Sequence, residues 1–275
     1  MSNLSVVMAT YNEKLPFLET CINSVLNQTF EDFEFFIVVE PQEKNMEFLK
    51  ETASRDNRIK TIENETRLGV AGSRNMGFLK CSGKYIAIID GDDYCAPERF
   101  EKQFQLLEKD QRVNVVGTNM WLVDEDGNIV GERTYPESHL EIKRSFLLTM
   151  AIGNPTLMIR RRNLKEVGLF DSNLIKAEDI ELWLRFLAHG MIMHNLQENL
   201  LYYRVQKKNE RREKVHYRNH YAARRRHSRF IWPWHERLFS LSMYFMISHI
   251  PHAYLEHLLG LGIVDKMKRI RRIGH

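Results

Sequence analysis

A chain of 275 residues, 43% hydrophobic and 28% charged, has the composition of a soluble globular protein, long enough for one domain with an appendage or for two small domains. Its three cysteines (Cys21, Cys81, Cys95) are odd in number and lack metal-ligand spacing, which argues against a disulfide framework; the Met-Ser-Asn-Leu-Ser-Val-Val-Met start lacks the features of a signal peptide, so a reducing, cytoplasmic setting is the expectation. The net charge of +4 divides into −7 for residues 1–206, +8 for 207–229 and +3 for 230–275, an acidic body whose basic tail should face something anionic.

In chain order, Leu4–Ala9 is a short apolar run that predicts a strand ending in Thr10-Tyr11-Asn12-Glu13. Pro16–Gln28 carries Phe17, Leu18, Cys21, Ile22 and Val25 at helical spacing. Phe33–Val39 predicts a second strand, Asn45–Asp56 a second helix and Ile59–Ile62 a shorter third strand. Val70–Lys80 then predicts a helix and Lys84–Ile89 a fourth strand. Alternation of this kind predicts an α/β fold, a largely parallel sheet with helices on its faces. Pro97–Lys109 should be helical and Val113–Val123 a strand, with Asp124-Glu125-Asp126-Gly127 turning into a hairpin partner at Ile129–Glu132. Leu140–Leu148 predicts a helix, Thr156–Arg160 a strand before Asn163–Val167, and Glu178–His189 a helix with Ile180, Leu182, Trp183, Phe186 and Leu187 on one spacing. No internal repeat interrupts this order.

The densest chemistry lies at the end of the fourth strand, in Tyr85-Ile86-Ala87-Ile88-Ile89-Asp90-Gly91-Asp92-Asp93. Open α/β sheets bind ligands at the carboxyl ends of their strands. Asp90, Asp92 and Asp93 repel one another unless a cation sits among them, and hard oxygen ligands suit Mg²⁺ or Mn²⁺ carrying a diphosphate. An isolated Asp-Gly-Asp-Asp reads equally well as a solvated acidic turn; the preceding strand favours the metal–phosphate reading. An EF-hand-like calcium loop fits worse, because Cys95 stands where that loop needs glycine and Tyr94 where it needs a ligand. Gly69, Gly72 and Gly77 lack dinucleotide-fold spacing, so no such cofactor is implied.

Four pieces line up in order: Ala9–Glu13 after the first strand, Val38-Val39-Glu40 at the end of the second, Arg67–Gly77 before the fourth with Asp90–Asp93 at its end, and Ala177–Arg185 opening a late helix. Their order and spacing resemble the family 2 glycosyltransferases, inverting enzymes with the GT-A fold, over about residues 3–205. The resemblance implies a pocket for the nucleotide base at Thr10–Glu13, with Tyr11 stacking on uracil, and Glu40 accepting a hydrogen bond from the base. The family often has two Asp followed by Gly-Ser where this chain has Val39-Glu40-Pro41-Gln42. Arg74 matches a basic residue near the phosphates, equally compatible with a structural role on its helix. Asp90, Asp92 and Asp93 match the family's metal and ribose-diphosphate motif, with Asp92 and Asp93 assigned to Mn²⁺ or Mg²⁺ and ribose and Asp90 supporting them. Asp179 matches the catalytic base, a carboxylate opposite the leaving group that deprotonates the acceptor hydroxyl. For Glu178-Asp179 by itself, acidic residues favouring a helix N-terminus would suffice. Family members often carry His where this chain has Gln206, and Lys207-Lys208 offers an alternative contact to phosphate.

The resemblance implies transfer of a hexosyl or N-acetylhexosaminyl group from a nucleotide-sugar, UDP-linked first, to a hydroxyl of a glycan or lipid-linked acceptor. It divides the chain into a GT-A domain at 1–206 and a basic, aromatic, helical extension at 207–275. Residues 207–229 look too polar to bury a face well, and Leu238–Ile263, broken by His249, Pro251, His252, Glu256 and His257, makes a poor transmembrane span. Trp232 and Trp234 beside basic residues suit an interfacial helix pair on an anionic membrane, peripheral on the inner face of the cytoplasmic membrane. The alternatives for the tail are a helical subdomain packed on the sheet or a homo-oligomer contact. A non-catalytic nucleotide-sugar-binding subunit and a nucleic-acid-binding protein using the basic tail are the rival functions; with an acidic body, no nucleic acid is expected.

Overall fold

The first ninety residues form four parallel strands, each delivered to the next by a helix. In the computed structural model, which describes residues 2–174, 176–205, 214–249 and 270–272, β1 (Leu4–Thr10), β2 (Phe33–Val39), β3 (Ile59–Glu63) and β4 (Tyr85–Asp90) lie in the order β3-β2-β1-β4. The crossovers are α1 (Leu15–Leu26), α2 (Met46–Arg55) and α3 (Gly69–Lys80). Successive side chains leave opposite faces of a strand. Leu4, Val6 and Met8 of β1 join Tyr85, Ala87 and Ile89 of β4 in one core layer, while Val7, Ile86 and Ile88 enter the other. Both faces of β1 and β4 are covered, so these strands read as nearly continuous apolar runs, broken in β1 by the buried Ser5.

The second half extends the sheet with mixed pairing. After β5 (Tyr94–Cys95) and α4 (Arg99–Lys109), β6 (Val113–Val123) forms the expected hairpin with β7 (Ile129–Arg133). α5 (His139–Ser145) opens with a reciprocal Ser138–Glu141 cap, and a 3-10 turn over Asn154–Thr156 precedes β8 (Met158–Arg160). The strand expected from Thr156 therefore starts two residues later, because Pro155 cannot donate to a ladder and sits in the turn instead. β8 lies antiparallel between β4 and β6. α6 (Arg161–Val167) and α7 (Glu178–Ala188) lead to β9 (Ile192–Arg204), which runs parallel to β6 and antiparallel to β5. The sequence pattern did not point to β9, whose register against β6 shifts at three places and whose buried positions do not alternate.

α8 (Lys214–Ile231) and α9 (Trp234–His249) form a hairpin against the domain, and β10 (Ile270–Arg272) pairs with β7. The expectation that this tail is too polar to bury a face is corrected here. Ala223, Ile231 and Trp232 join the core layer of Trp183 and Phe186, and Arg224, His227 and Ser228 are buried beside them. Arg224 donates to the Phe146 carbonyl at 3.0 Å and lies 3.7 Å from the Tyr244 ring centroid, so its charge is carried inward with partners. Gln206, Lys207 and Lys208 and the stretch from Pro251 to Ile263 lie outside the described residues.

α3 presses onto the sheet at Gly77, where an added Cβ would meet Val7 Cγ1 at 2.5 Å and Val38 Cγ2 at 3.1 Å. Gly77→Ala should cost about 2 kcal/mol in urea unfolding, the range for overpacking a well-filled core. An unchanged midpoint would mean that α3 can retreat from β1 and β2 at no cost.

Candidate active site

The carboxyl end of β4 meets the N-terminal half of α3 and the first turn of α7 at one cavity of about 350 Å³, lined by Arg74, Asp90, Glu178 and Asp179 among others. Its far wall comes from later strands and turns of the chain: Met120, Arg133, Tyr135, Met150, Ile152 and Asn154. A larger open depression of about 570 Å³ at Leu26, Gln28, Glu31 and Arg58 lies where β2 begins, away from these carboxylates.

Three sequence-predicted residues therefore converge, Arg74, Asp90 and Asp179. Arg74, 4% exposed, pairs through Nη2 with Asp90 Oδ1, and its centre lies 5.7 Å from the Phe170 ring. Its Nε is buried with no hydrogen-bond partner among the described residues. Asp179 stands in the first turn of α7, and its Oδ1 accepts from the Ile180 amide at 2.6 Å. Burial pushes the Asp179 carboxyl above its ordinary value, against the opposing pull of the Ile180 amide and Arg74. Glu178 is raised as well, by burial and then by Asp179 itself.

Asp92 and Asp93 occupy the turn just past Asp90, where the Asp93 amide donates to the Asp90 carbonyl at 3.1 Å. Asp93 is 1% exposed; its Oδ1 accepts from the Arg204 amide at 2.9 Å, and Oδ2 is buried with no hydrogen-bond partner among the described residues. Burial, then Asp92 and Asp90, raise its carboxyl well above the usual range. Asp92 is half-buried, and its carbonyl accepts from Arg204 Nε at 3.1 Å. Arg204 also reaches the carbonyls of Asp124 and Glu125, both at 2.9 Å, and stacks 3.9 Å from the Phe17 centroid. The mutual repulsion of the three aspartates is thus moderated by two arginines, Arg74 and Arg204, before any cation is considered.

Thr10, Tyr11, Glu13 and Glu40 sit around the end of β1, beside this cavity and not in its lining. A Cβ on Gly91 would touch Glu13 and Thr10 at 3.4 and 3.5 Å, which sets both against the acidic turn. The Arg67 guanidinium covers one face of Tyr11 at 4.4 Å. Glu40 is 5% exposed, and its carboxylate accepts from the Leu68 amide (3.0 and 3.2 Å) and from the Ser73 hydroxyl, binding the entry of α3 to the end of β2.

Sequence reasoning missed Arg204, Arg133, Tyr135 and Asn154. Arg204 works through backbone carbonyls, which no side-chain pattern announces. Arg133 Nε and Asn154 Oδ1 are buried at the cavity without hydrogen-bond partners among the described residues, a signal that exists only in three dimensions. Among the described residues no three His, Cys, Asp or Glu side chains converge on a single cation position. The donor set still fits a hard cation of the Mg²⁺ kind, which binds through one or two carboxylates and takes its remaining oxygens from phosphate and water.

A sequence model of Glycosyl transferase family 2 matches residues 5–168. The chain is 34% identical to an uncharacterized glycosyltransferase of Methanocaldococcus jannaschii, over 99% of this chain and 97% of the relative. It is 32% identical to the O-antigen biosynthesis glycosyltransferase WbnJ of Escherichia coli, over 78% of this chain and 84% of the relative. Among solved structures, S. aureus TarS 1–349 in complex with UDP-GlcNAc is similar in fold, with a TM-score of 0.67 at 18% identity over 88% of this chain and 71% of that one.

Arg204→Met would leave two loop carbonyls and the Asp92 carbonyl without their donor. The expected loss is about 3 kcal/mol in chemical denaturation, with Arg204→Lys intermediate because it keeps the charge and loses the planar donor set. Equal stability of all three proteins would show that water replaces the guanidinium freely.

Proposed function

The chain belongs to glycosyl transferase family 2 and is a glycosyltransferase, and from that premise we propose that it transfers a sugar from a UDP-sugar to a hydroxyl of a glycan or lipid-linked glycan, with inversion. The observation that carries this reading is the convergence of Arg74, Asp90 and Asp179 in one cavity at the carboxyl end of the parallel strands. The UDP-GlcNAc complex of a protein of this fold supports UDP as the first nucleotide to test, and the O-antigen relative supports a glycan acceptor.

In the proposed reaction Asp179 takes the proton of the acceptor hydroxyl as its oxygen attacks the anomeric carbon and the bond to the diphosphate breaks on the opposite face. A base near neutrality is more effective than an ordinary aspartate, and the burial that raises Asp179 moves it in that direction. Thr10, Tyr11 and Glu13, with Glu40 behind the Leu68–Ser73 segment, would hold the nucleoside. Arg74 and Asp90 would orient the diphosphate end, Arg74 countering charge that grows on the leaving group. We assign Asp92, with Asp93 beside it, to a divalent cation, Mn²⁺ or Mg²⁺, whose chemistry when bound is Lewis-acid stabilisation of the departing diphosphate. Residues 1–206 would carry this chemistry, and the extension from 207 would present the enzyme to its acceptor at the inner face of the membrane. No helix among the described residues is long and apolar enough to cross a membrane.

Calorimetric titration of UDP and GDP with Mn²⁺, and then with EDTA, tests the donor assignment. UDP should bind in a metal-dependent way and Asp92→Asn should lose that dependence; absence of binding to either nucleotide would reject the donor site. Asp179→Asn should lower turnover at least about a hundredfold while UDP affinity stays within a few-fold, and full activity would remove Asp179 as the base. Because the base must be ionised, wild-type turnover should fall as pH drops through the raised Asp179 value. The acid limb of the rate profile is therefore expected above the ordinary aspartate value of 3.8, and a limb at or below that value would contradict the assignment.

A further inference from the structure

α9 is built the wrong way round for a helix on the surface of a soluble domain. Such a helix turns apolar residues inward and polar residues to water. The buried positions of α9 are Ser240, Tyr244 and Ser248. Facing outward are Trp234 (75% exposed), Leu238 (58%), Phe239 (53%), Phe245 (51%) and Met246 (56%), with Phe230 (59%) at the end of α8. The other exposed large apolar side chains are scattered along the chain, whereas these six fall within seventeen residues on one hairpin. A cluster of exposed apolar side chains of this kind, with exposed His235, Ser242 and His249 among them, marks a surface that something covers.

The neighbouring face says what kind of surface it is. Arg225, Arg226 and Arg229 of α8 and Arg237 of α9 line a concavity of about 540 Å³ with Tyr221. The Tyr221 ring meets Phe245 at 5.8 Å, which makes the arginine concavity and the apolar row continuous. Arg226 leans towards Asp171 at 3.5 Å and Glu181 at 3.8 Å; Arg225, Arg229 and Arg237 make no ion pair among the described residues. Arg229 lies 4.5 Å from the Phe230 ring centroid, cation and apolar ring side by side.

We infer that the outer face of the α8–α9 hairpin docks on an anionic lipid bilayer, with Trp234, Leu238 and Phe245 entering the interface and Arg225, Arg229 and Arg237 on lipid phosphates. This rests on the proposed membrane-presented acceptor and names the surface responsible. Aromatic and aliphatic side chains flanked by arginine suit the boundary between acyl chains and headgroups. A second copy meeting this face symmetrically would bring like-charged arginine rows together, which is unfavourable. The inward face explains how the inversion is tolerated: Ser240 and Tyr244 donate to the carbonyls of Leu147 and Leu148 at 2.7 and 2.9 Å, so the polar side of α9 is matched by hydrogen bonds.

The test is co-sedimentation of the full chain with vesicles of phosphatidylcholine alone or containing roughly a third phosphatidylglycerol, without nucleotide. The chain should partition onto the anionic vesicles and release at high salt. Arg225→Gln/Arg229→Gln/Arg237→Gln should weaken partitioning about a hundredfold, and Trp234→Ser/Leu238→Ser/Phe245→Ser at least tenfold. UDP titration of the same variants, unaffected by vesicle binding, separates this surface from the donor site and reports folding. Absence of binding to anionic vesicles overturns the inference, as does binding that neither variant weakens. A wild-type dimer that the Trp234/Leu238/Phe245 variant converts to monomer, with no vesicle binding, would reassign the face to a contact between copies.

Discussion

The carboxylates at the carboxyl edge of the sheet set the terms for the rest of the molecule. Asp90, Asp92, Asp93, Glu178 and Asp179 stand close enough that burial and mutual repulsion raise three of them, Asp93, Glu178 and Asp179. Such a cluster persists only where cations enter at defined points. Arg74 reaches Asp90 only because α3 lies tight on β1 and β2, and that contact requires the missing side chain of Gly77. Arg204 reaches the acidic turn only because β9 returns beside β5, where Tyr94 and Tyr202 stack at 4.4 Å. Electrostatic balance at the site and the topology of the sheet are therefore one requirement met from two distant parts of the chain.

Different parts of this arrangement were legible in the sequence to different degrees, for identifiable reasons. β2 and β6 fall on the expected residues: β2 is apolar except for Glu34, and β6, though interrupted by Asn114, Gly117, Thr118 and Asn119, keeps apolar runs at both ends and a turn after Val123. β9 escaped because its register breaks against β6 and its polar residues Gln197, Glu198 and Asn199 interrupt any period of two. Asp90, Arg74 and Asp179 were legible through the order of short motifs, each attached to the end of a recognisable element. Arg204 was not, because its partners are carbonyls. Glu40 was legible as an acidic residue at a strand end, but its hydrogen bonds to Leu68 and Ser73 depend on how α3 enters, which no local pattern encodes.

The tail inverts the usual logic of amphipathic reading. Its buried side holds Arg224, His227 and Ser228 on α8 and Ser240 and Tyr244 on α9, while its largest apolar side chains on α9 face out. A sequence scan that equates buried with apolar misplaces these residues, although Ala223 and Ile231 of α8 follow the usual rule. What makes the polar side buriable is a set of specific acceptors: the carbonyls of Phe146, Leu147 and Leu148, and the carboxylate of Glu181.

Glu181 links the acidic site to the tail. It is 2% exposed and two residues beyond Asp179 on α7; it accepts from Arg185 at 3.0 Å and meets His227 Nε2 of α8 at 2.8 Å. Burial opposes its charge, but His227 and Arg185 outweigh that and hold the carboxyl below its ordinary value. At the start of the same helix pair, the His216 ring contacts the Lys176 carbonyl at 2.8 Å, in the segment that leads into α7. The first turn of α7 is thus braced by α8 on the side away from the cavity. Glu181 and Lys176 therefore connect α8 to the turn that carries Asp179. Removing the tail would accordingly withdraw a wall of the core and the support of the proposed base together.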